Sequence, residues 1–145
     1  MEKDELFKEI DLIQNCINRM AKNSFMLKGW ALTIFAGVTA FTKGENFSNP
    51  VTLVCTTIIP FVCFWILDTF FLRTEKKYRK MYEDMLIKRK DNNTEGQYEL
   101  NPPKIKVDCF LKVMFSITLV VFYGIPLLAS IFLLVISIKH NYVCI

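Results

Sequence analysis

The chain has 145 residues, enough for one domain, and a formal net charge of +4. Hydrophobic residues make up 52% of it and charged residues 22%, so the charges must be segregated from the apolar stretches. This balance argues against an ordinary soluble domain. There is one histidine, His140, the five cysteines form no close pair, and no glycine-rich phosphate loop occurs. We therefore expect neither an enzyme nor a bound cofactor or metal.

Residues 1–23 are predicted to form a cytoplasmic amphipathic helix. No Gly or Pro occurs before Gly29, so this helix is expected to continue unbroken into the membrane. The segment is rich in acidic residues, whereas signal peptides begin with a short basic region. Apolar residues recur along one side at alternating spacings of four and three, as in a heptad stripe: Leu6, Ile10, Ile13, Ile17 and Met20.

Residues 24–42 are predicted to form the first transmembrane helix. Lys28 lies near its cytoplasmic end, where its ammonium group can reach the lipid headgroups. Trp30 is typical of the aromatic belt at a membrane interface. Thr33 and Gly37, four residues apart, indicate a face for close helix packing, with a pore-lining face as the alternative.

Residues 51–72 follow a short external loop, 43–50, and reach the ~20 residues that a membrane span needs. Asp68 is the only charged residue of this run and lies at the same depth as Lys28. A charge at the centre of a membrane helix costs about 2.5–3.5 kcal/mol on insertion scales. We therefore expect the two side chains to meet, within or between subunits. The pair would fix helix register or line a water-filled path, and simple snorkelling is the other alternative.

Three further residues of this second span are candidates for packing or membrane contact. Thr52 and Thr56 share one helix face, which would serve helix packing or line a pore. Trp65 is assigned to the interface belt together with Trp30.

Residues 73–90 are predicted to continue the second span as a cytoplasmic helix, followed by a cytoplasmic loop at 91–108. Because only a short loop joins the first two spans, they should be antiparallel neighbours whose cytoplasmic extensions pack together. The expected contacts are made by a second apolar stripe: Tyr78, Met81, Tyr82, Met85 and Leu86.

Residues 109–138 are assigned to a third transmembrane helix, followed by an external tail at 139–145. No charge occurs from Val113 to Ile138, a stretch that would extend about 39 Å as a straight helix, against about 30 Å of hydrocarbon. Gly124 and Pro126 form a candidate hinge that would absorb the excess length. A re-entrant hairpin is the alternative.

The basic residues indicate the orientation. Of the 18 Lys and Arg residues, all except Lys43 and Lys139, that is 16, belong to the segments assigned to the cytoplasm or their membrane boundaries. The N-terminus is therefore predicted to be cytoplasmic. Attraction to anionic lipids accounts for much of the basic face after the second span. Acidic residues dilute that field, so no direct nucleic-acid specificity is predicted.

Two stretches carry a resemblance to a known group of proteins. "IQNCINRMAKNSFMLKGWALT" (13–33) and "IPFVCFWILDTFFLRTEKKYRKMYEDM" (59–85) resemble small bacterial membrane effectors of anti-phage defence. The resemblance is to the pattern R-M-x-x-N-S-F-x-x-K-G-W followed by F-W-x-L-D. The membrane component of Hailong and the membrane accessory of type VI-B CRISPR systems are the candidates.

That resemblance implies a pore-forming protein of the bacterial inner membrane that depolarises the infected cell. It also implies, as a partner, a nucleotidyltransferase-like or CRISPR-associated sensor, or its nucleotide product. Four residues of the shared pattern would form a polar cluster near the cytoplasmic membrane face: Arg19, Asn23, Arg79 and Tyr82.

The sequence thus predicts an all-α integral membrane protein with three transmembrane helices, the first two extended into a cytoplasmic helical hairpin. Three spans cannot enclose a wide pore, so a conducting protein must be a homo-oligomeric bundle. A non-conducting anchor or scaffold that recruits a soluble partner through the cytoplasmic helices is the alternative. A lipid-interacting accessory protein without a pore is a further one.

Overall fold

The computed structural model of the chain describes residues 3–41, 50–102, 105–132 and 135. Helix accounts for 84% of the structure, and these residues contain no strand, as an all-α fold requires. Of the loop predicted to be external at 43–50, all residues but Pro50 lie outside the described residues, and so does the tail predicted at 139–145. Four helices occur in chain order: α1 (Lys3–Phe41), α2 (Pro50–Lys90), α3 (Phe110–Met114) and α4 (Ile117–Phe132).

Helix α1 runs for 39 residues without a break, which confirms the predicted continuity of 1–23 with 24–42. Asp4 and Glu5 lie in its first turn, where negative side chains interact favourably with the helix dipole. At 1.5 Å per residue the helix is about 58 Å long. One rigid element therefore joins the polar N-terminal segment to the apolar run.

Helix α2 is also continuous, over 41 residues, so the second apolar run and the predicted helix at 73–90 are one element. It ends in a Schellman motif, in which Asn92 takes a left-handed conformation with φ of 55°. Asn93 N donates to Lys88 O at 3.0 Å, and Asn92 N donates to Arg89 O at 3.1 Å. The basic residues of the last turn further stabilise this end.

The polar parts of α1 and α2, which were predicted to be cytoplasmic, pack together along the two predicted stripes. Ile13 and Ile17 of α1 are buried against Tyr78 and Met85 of α2, with the remaining stripe residues partly buried around them. Leu86 is the exception, since 39% of it is exposed. The predicted hairpin contact is therefore confirmed for every stripe residue except Leu86.

A second core lies in the apolar half of the molecule. Ala31 of α1, Phe61 of α2, and Leu119 and Tyr123 of α4 are buried together. The rings of Phe61 and Tyr123 pack edge-on, with 5.4 Å between their centroids. The third apolar segment thus packs against the α1–α2 pair.

The third apolar run is not one continuous helix. α3 ends at Met114, and Ser116 takes an extended conformation with ψ of 147° before α4 begins. Val120–Gly124 then forms a π-helical turn. Pro126 follows this turn and has no N–H to donate to the carbonyl of Phe122, four residues earlier. The π-turn therefore lies where the usual α-helical hydrogen bond cannot form. The candidate hinge at Gly124 and Pro126 therefore lies where the helix is irregular, while the break at Ser116 was not predicted.

Within the described residues, one helical segment is long and apolar enough to cross a membrane, Thr56–Lys90. Only 22% of its most apolar stretch is buried in the chain, unlike the core helix of a soluble protein. Ile117–Phe132 is a shorter apolar helix. Large apolar side chains are exposed along all three apolar segments, including Phe25 at 78% and Ile117 at 84%. Contiguous exposure of this kind marks a contact surface for membrane or protein.

Replacing Ile13 by Ala tests the hairpin core. Ile13 is 2% exposed, so the truncation should lower the free energy of unfolding by about 2–5 kcal/mol. The matched control is Ile87→Ala, because Ile87 is 64% exposed and its truncation should change stability by about 0.5 kcal/mol or less. Detergent-solubilised protein unfolded with increasing SDS gives both values, and equal losses would contradict the packing described here.

Candidate functional site

Asp68 is the most enclosed charged residue in the described part of the chain, with 0% of it exposed. Its carboxylate receives side-chain donors from two other segments. On the α1 side, Ser24 Oγ donates to Oδ1, and Lys28 Nζ lies 2.5 Å from Oδ2. From α4, the Tyr123 hydroxyl donates to Oδ2 at 3.1 Å. One buried carboxylate therefore joins α1, α2 and α4.

The spacing in α1 explains how two donors reach the same acid. Ser24 and Lys28 are four residues apart and lie on one helix face, and Lys28 Nζ also donates to Ser24 Oγ at 2.8 Å. Asp68 has no intrahelical partner of this kind and depends on its neighbours. The contact predicted between Lys28 and Asp68 is present, and it forms within one chain.

The surroundings of this polar centre are apolar and aromatic. Trp65 stacks on Tyr123 with 6.1 Å between centroids and 9° between planes, and Phe122 packs edge-on to Tyr123 at 5.1 Å. Thr69 is buried and satisfies its hydroxyl by donating to Trp65 O at 2.7 Å. A charge pair in such surroundings is weakly screened, so its geometry matters more than that of a surface pair.

Trp65 connects the second and third apolar segments. Its Nε1 donates to Met114 O at 3.0 Å, and its ring also packs edge-on to Phe115. The Met114 carbonyl is available because α3 ends there. Trp65 is therefore an anchor for the helix break in this chain, a role that its assignment to the interface belt did not anticipate. Trp30 is 59% exposed, and its assignment to the interface belt stays a prediction.

The predicted packing or pore face of α1 has no neighbour from the described part of the same chain at Gly29 or Gly37. Thr33 is exposed and donates its hydroxyl to Gly29 O at 3.0 Å. A Cβ placed on either Gly29 or Gly37 would meet no atom within 4 Å. On α2, Thr56 is exposed, whereas the side chain of Thr52 lies outside the described residues.

The four residues of the expected cytoplasmic polar cluster make their described contacts separately. Arg79 pairs with Glu75 on its own helix, at 2.7 Å, and Tyr82 packs on the hairpin core. Asn23 lines a groove beside Trp30, and Arg19 is exposed. No hydrogen bond or ion pair joins these four residues in the ranges that the structure describes.

A second buried ion pair was not predicted. Arg89 Nε and Nη2 donate to the two carboxylate oxygens of Glu9 at 2.8 and 2.7 Å. Both side chains are nearly inaccessible, at 4% and 3% exposure. Tyr98 N also donates to Glu9 Oε1 at 3.2 Å, and Arg89 Nη1 donates to Asn93 O. The loop after α2 is therefore tied back onto the start of α1.

The pair changes the protonation behaviour of its members. The hydrogen bonds from Arg89, reinforced by that from Tyr98, hold the pKa of Glu9 below its ordinary value despite the opposing effect of burial. The hydrogen bond to Glu9 likewise raises the pKa of Arg89. The signal in the sequence was an acidic residue placed among the apolar stripe of 1–23.

The two buried ion pairs link the helices electrostatically, and the described residues form no evident reaction centre. Among the residues that the structure describes, no group of three or more His, Cys, Asp and Glu could hold a metal ion. Comparison of the chain with protein-family models, curated proteins and solved structures found no match. The two ion pairs therefore have to be interpreted from their own geometry.

A double-mutant cycle tests the polar centre. Asp68→Asn should lower the free energy of unfolding by about 2–4 kcal/mol, because it leaves the Lys28 ammonium without its counter-charge. Lys28→Met should cost about 3–5 kcal/mol, because it leaves a buried carboxylate unpaired.

The double variant should be at least about 1 kcal/mol more stable than the sum of the single losses predicts. SDS unfolding of the detergent-solubilised protein measures all three. Asp11→Asn and Lys22→Met, both at exposed positions, provide the matched control cycle. Additive losses at Asp68 and Lys28 would show that the two residues do not interact.

The Glu9–Arg89 pair should make the hairpin sensitive to acid. The folded pKa of Glu9 lies below the ordinary value of 4.5, so its contribution is complete above about pH 4.5 and is lost as pH falls through the folded pKa. Glu9→Gln should be less stable than the wild type at neutral pH, and the two should converge under acid. Protease cleavage within 91–102, followed at stepped pH, measures this difference, which would stay constant if the pair were unimportant.

Proposed function

We propose that the chain is a three-span, homo-oligomeric protein of the bacterial inner membrane that conducts ions or permeabilises the membrane when activated. The observation that carries the proposal is the position of the Lys28–Asp68 pair. It lies where two long helices pass from the cytoplasmic hairpin into the apolar half, and the third segment is bonded to it. Movement of the hairpin would therefore shift all three apolar segments through the contacts of Asp68.

The exposed apolar surface supports the membrane part of the proposal. Three segments that pack on one another leave large apolar side chains facing outward, such as Phe70 at 56% and Leu128 at 69%. Water would not tolerate this surface on a monomer. Asp68 and Lys28, which lie in two of these segments, neutralise each other, so the charges need not face lipid.

The orientation follows from where the charges lie on the two helices. The hairpin and the loop after it contain nearly all of the basic residues, and the apolar segments extend away from them. Positively charged segments remain in the cytoplasm. The N-terminus is therefore proposed to be cytoplasmic, with Lys28 and Asp68 at the inner end of the spans.

Conduction would require neighbouring protomers, because the polar centre of each protomer is filled by its own residues. The outer face of α1 suits such a contact. Glycine costs a helix about 1 kcal/mol relative to Ala, yet neither Gly29 nor Gly37 accommodates a neighbour within the chain. With Thr33 between them at four-residue spacing, they would let a second helix approach closely.

The role in anti-phage defence is proposed from the resemblance of 13–33 and 59–85 to small membrane effectors. Ser24, Lys28 and Asp68, which form the polar centre, all belong to those two stretches. The activating partner would be a nucleotidyltransferase-like or CRISPR-associated sensor, or its nucleotide product.

A non-conducting anchor is the second candidate, and one observation favours it. A cavity of about 410 Å³ opens between the start of α1, the end of α2 and the loop after it. Its lining combines charged residues such as Asp84 and Lys88 with the apolar Ile13 and Met81. A segment of a soluble protein could dock there without any ion flux.

Reconstitution into dye-loaded vesicles separates the two candidates. The wild type should release dye or dissipate a potassium gradient. Gly37→Leu should shift the protein toward monomers and reduce flux about tenfold or more, because losing ~1.4 kcal/mol of association free energy lowers affinity tenfold. Native mass spectrometry of the same samples counts the subunits.

Ala129→Leu is the matched control, since Ala129 is a small exposed residue of α4. This variant should keep both assembly and flux. Because the proposed activator is absent from these vesicles, the subunit number decides the case, and wild-type protein that remains monomeric would sink the pore proposal and leave the anchor.

A further inference from the structure

A basic cavity lies where α2 leaves the apolar half and the chain returns toward α3. Its volume is about 500 Å³. Four of its lining residues are basic and two are acidic: Lys76, Arg79, Lys80 and Lys106, with Glu83 and Asp108. The cavity is thus formed jointly by α2 and by the chain segment just before α3.

Hydrogen bonds hold the two walls of this cavity in place. Arg73 Nε donates to Asp108 O at 3.2 Å, and Lys80 Nζ donates to Lys106 O at 3.2 Å. Lys76 Nζ also lies 3.4 Å from Asp108 Oδ2. The cavity is therefore defined by cross-links between two segments and is not merely a gap between mobile side chains.

The charge that remains free in the cavity is positive. Asp108 is neutralised by Lys112 at 2.8 Å as well as by Lys76. Their hydrogen bonds, that from Lys112 foremost, hold the pKa of Asp108 below its ordinary value. In the described part of the chain, neither Lys80 nor Lys106 pairs with a carboxylate. Glu83 offsets one of these two ammonium groups, so the charge left for an anion is positive by one.

The near end of the cavity lies at the depth of lipid headgroups. The apolar run of α2 ends at Leu72, so Lys76 lies about 6 Å and Lys80 about 12 Å further along the helix. Headgroups occupy roughly 5–7 Å on each side of the hydrocarbon, so Lys76 falls within this layer and the long Lys80 side chain would reach back toward it. On the other wall, Leu111 and Phe115 follow within two turns and are 60% and 62% exposed. Acyl chains would meet them beside the cavity.

We propose that this cavity binds the phosphate headgroup of an anionic phospholipid from the inner leaflet. The inference rests on the proposed membrane topology. It specifies a ligand for one site, beyond the general attraction of basic segments to anionic membranes. Soluble phosphate offers the same anion but not the acyl chains, so the apolar residues beside the cavity favour the lipid.

Native mass spectrometry of the full chain in neutral detergent, titrated with phosphatidylglycerol or phosphatidylcholine, tests the inference. The wild type should bind phosphatidylglycerol at least about tenfold more tightly than phosphatidylcholine. Arg79→Gln, Lys80→Gln and Lys106→Gln combined should bring this ratio close to one, because each basic residue near a surface contributes roughly a fivefold effect.

The matched control removes the same charge elsewhere on α2, with Lys77→Gln, Lys88→Gln and Lys90→Gln. It should keep the preference within about threefold of the wild type, since none of these residues lines the cavity. Equal losses in both triple variants would overturn the inference, as they would indicate diffuse attraction. So would competition by soluble glycerophosphate at the concentrations at which the lipid binds.

Vesicle flux with neutral lipids, measured on the same triple variants, keeps this inference separate from the proposed function. Retained flux together with an unchanged lipid preference would reject the lipid site alone. Loss of the preference in the cavity variant alone, with folding confirmed by circular dichroism, supports the site whether or not the protein conducts.

Discussion

The electrostatic requirement of one carboxylate organises the apolar half of the molecule. Asp68 is fully buried, and an unpaired charge there would cost several kcal/mol. Its oxygens are satisfied only when Ser24 and Lys28 of α1 and Tyr123 of α4 are all in place. Small shifts of one helix along another change the burial of apolar side chains little, but they break these hydrogen bonds and this ion pair. The Lys28–Asp68 pair therefore selects one register among the many that apolar helices could adopt.

The two ends of the hairpin are fixed by the same kind of interaction. The Glu9–Arg89 ion pair joins the two helices at the end remote from the apolar half, and the Lys28–Asp68 ion pair joins them at the other end. Between them lies an apolar seam built on Ile13 and its neighbours. Helices α1 and α2 each run without a break past both ion pairs. A ligand that disturbed one ion pair would therefore displace the residues of the other through these two helices.

The sequence predicted most of this framework for identifiable reasons. Helical periodicity predicted the seam, and two charges at equal depth predicted the Lys28–Asp68 contact. Tyr123 could not be assigned to that contact, because its approach depends on a break at Ser116 that no local pattern indicated. The candidate hinge at Gly124 and Pro126 predicted only where the helix is irregular and not the form of the π-turn. Trp65 fitted an interface belt and an anchor equally well. Glu9 and Arg89 are far apart in sequence, and only the misfit of an acid within an apolar stripe hinted at the pair.

The π-turn at Val120–Gly124 makes chain length itself a determinant of the site. Such a turn holds one residue more than an α-turn does. Because the extra residue is absorbed within that turn, removing one residue there would leave a regular α-turn with nearly the same faces on either side. Inserting one residue into the regular helix before the turn would instead rotate Tyr123 by about 100° relative to Met114, whose carbonyl accepts from Trp65. The phenol of Tyr123 would then face away from the acid, so a change of one residue is more disruptive beside the π-turn than inside it.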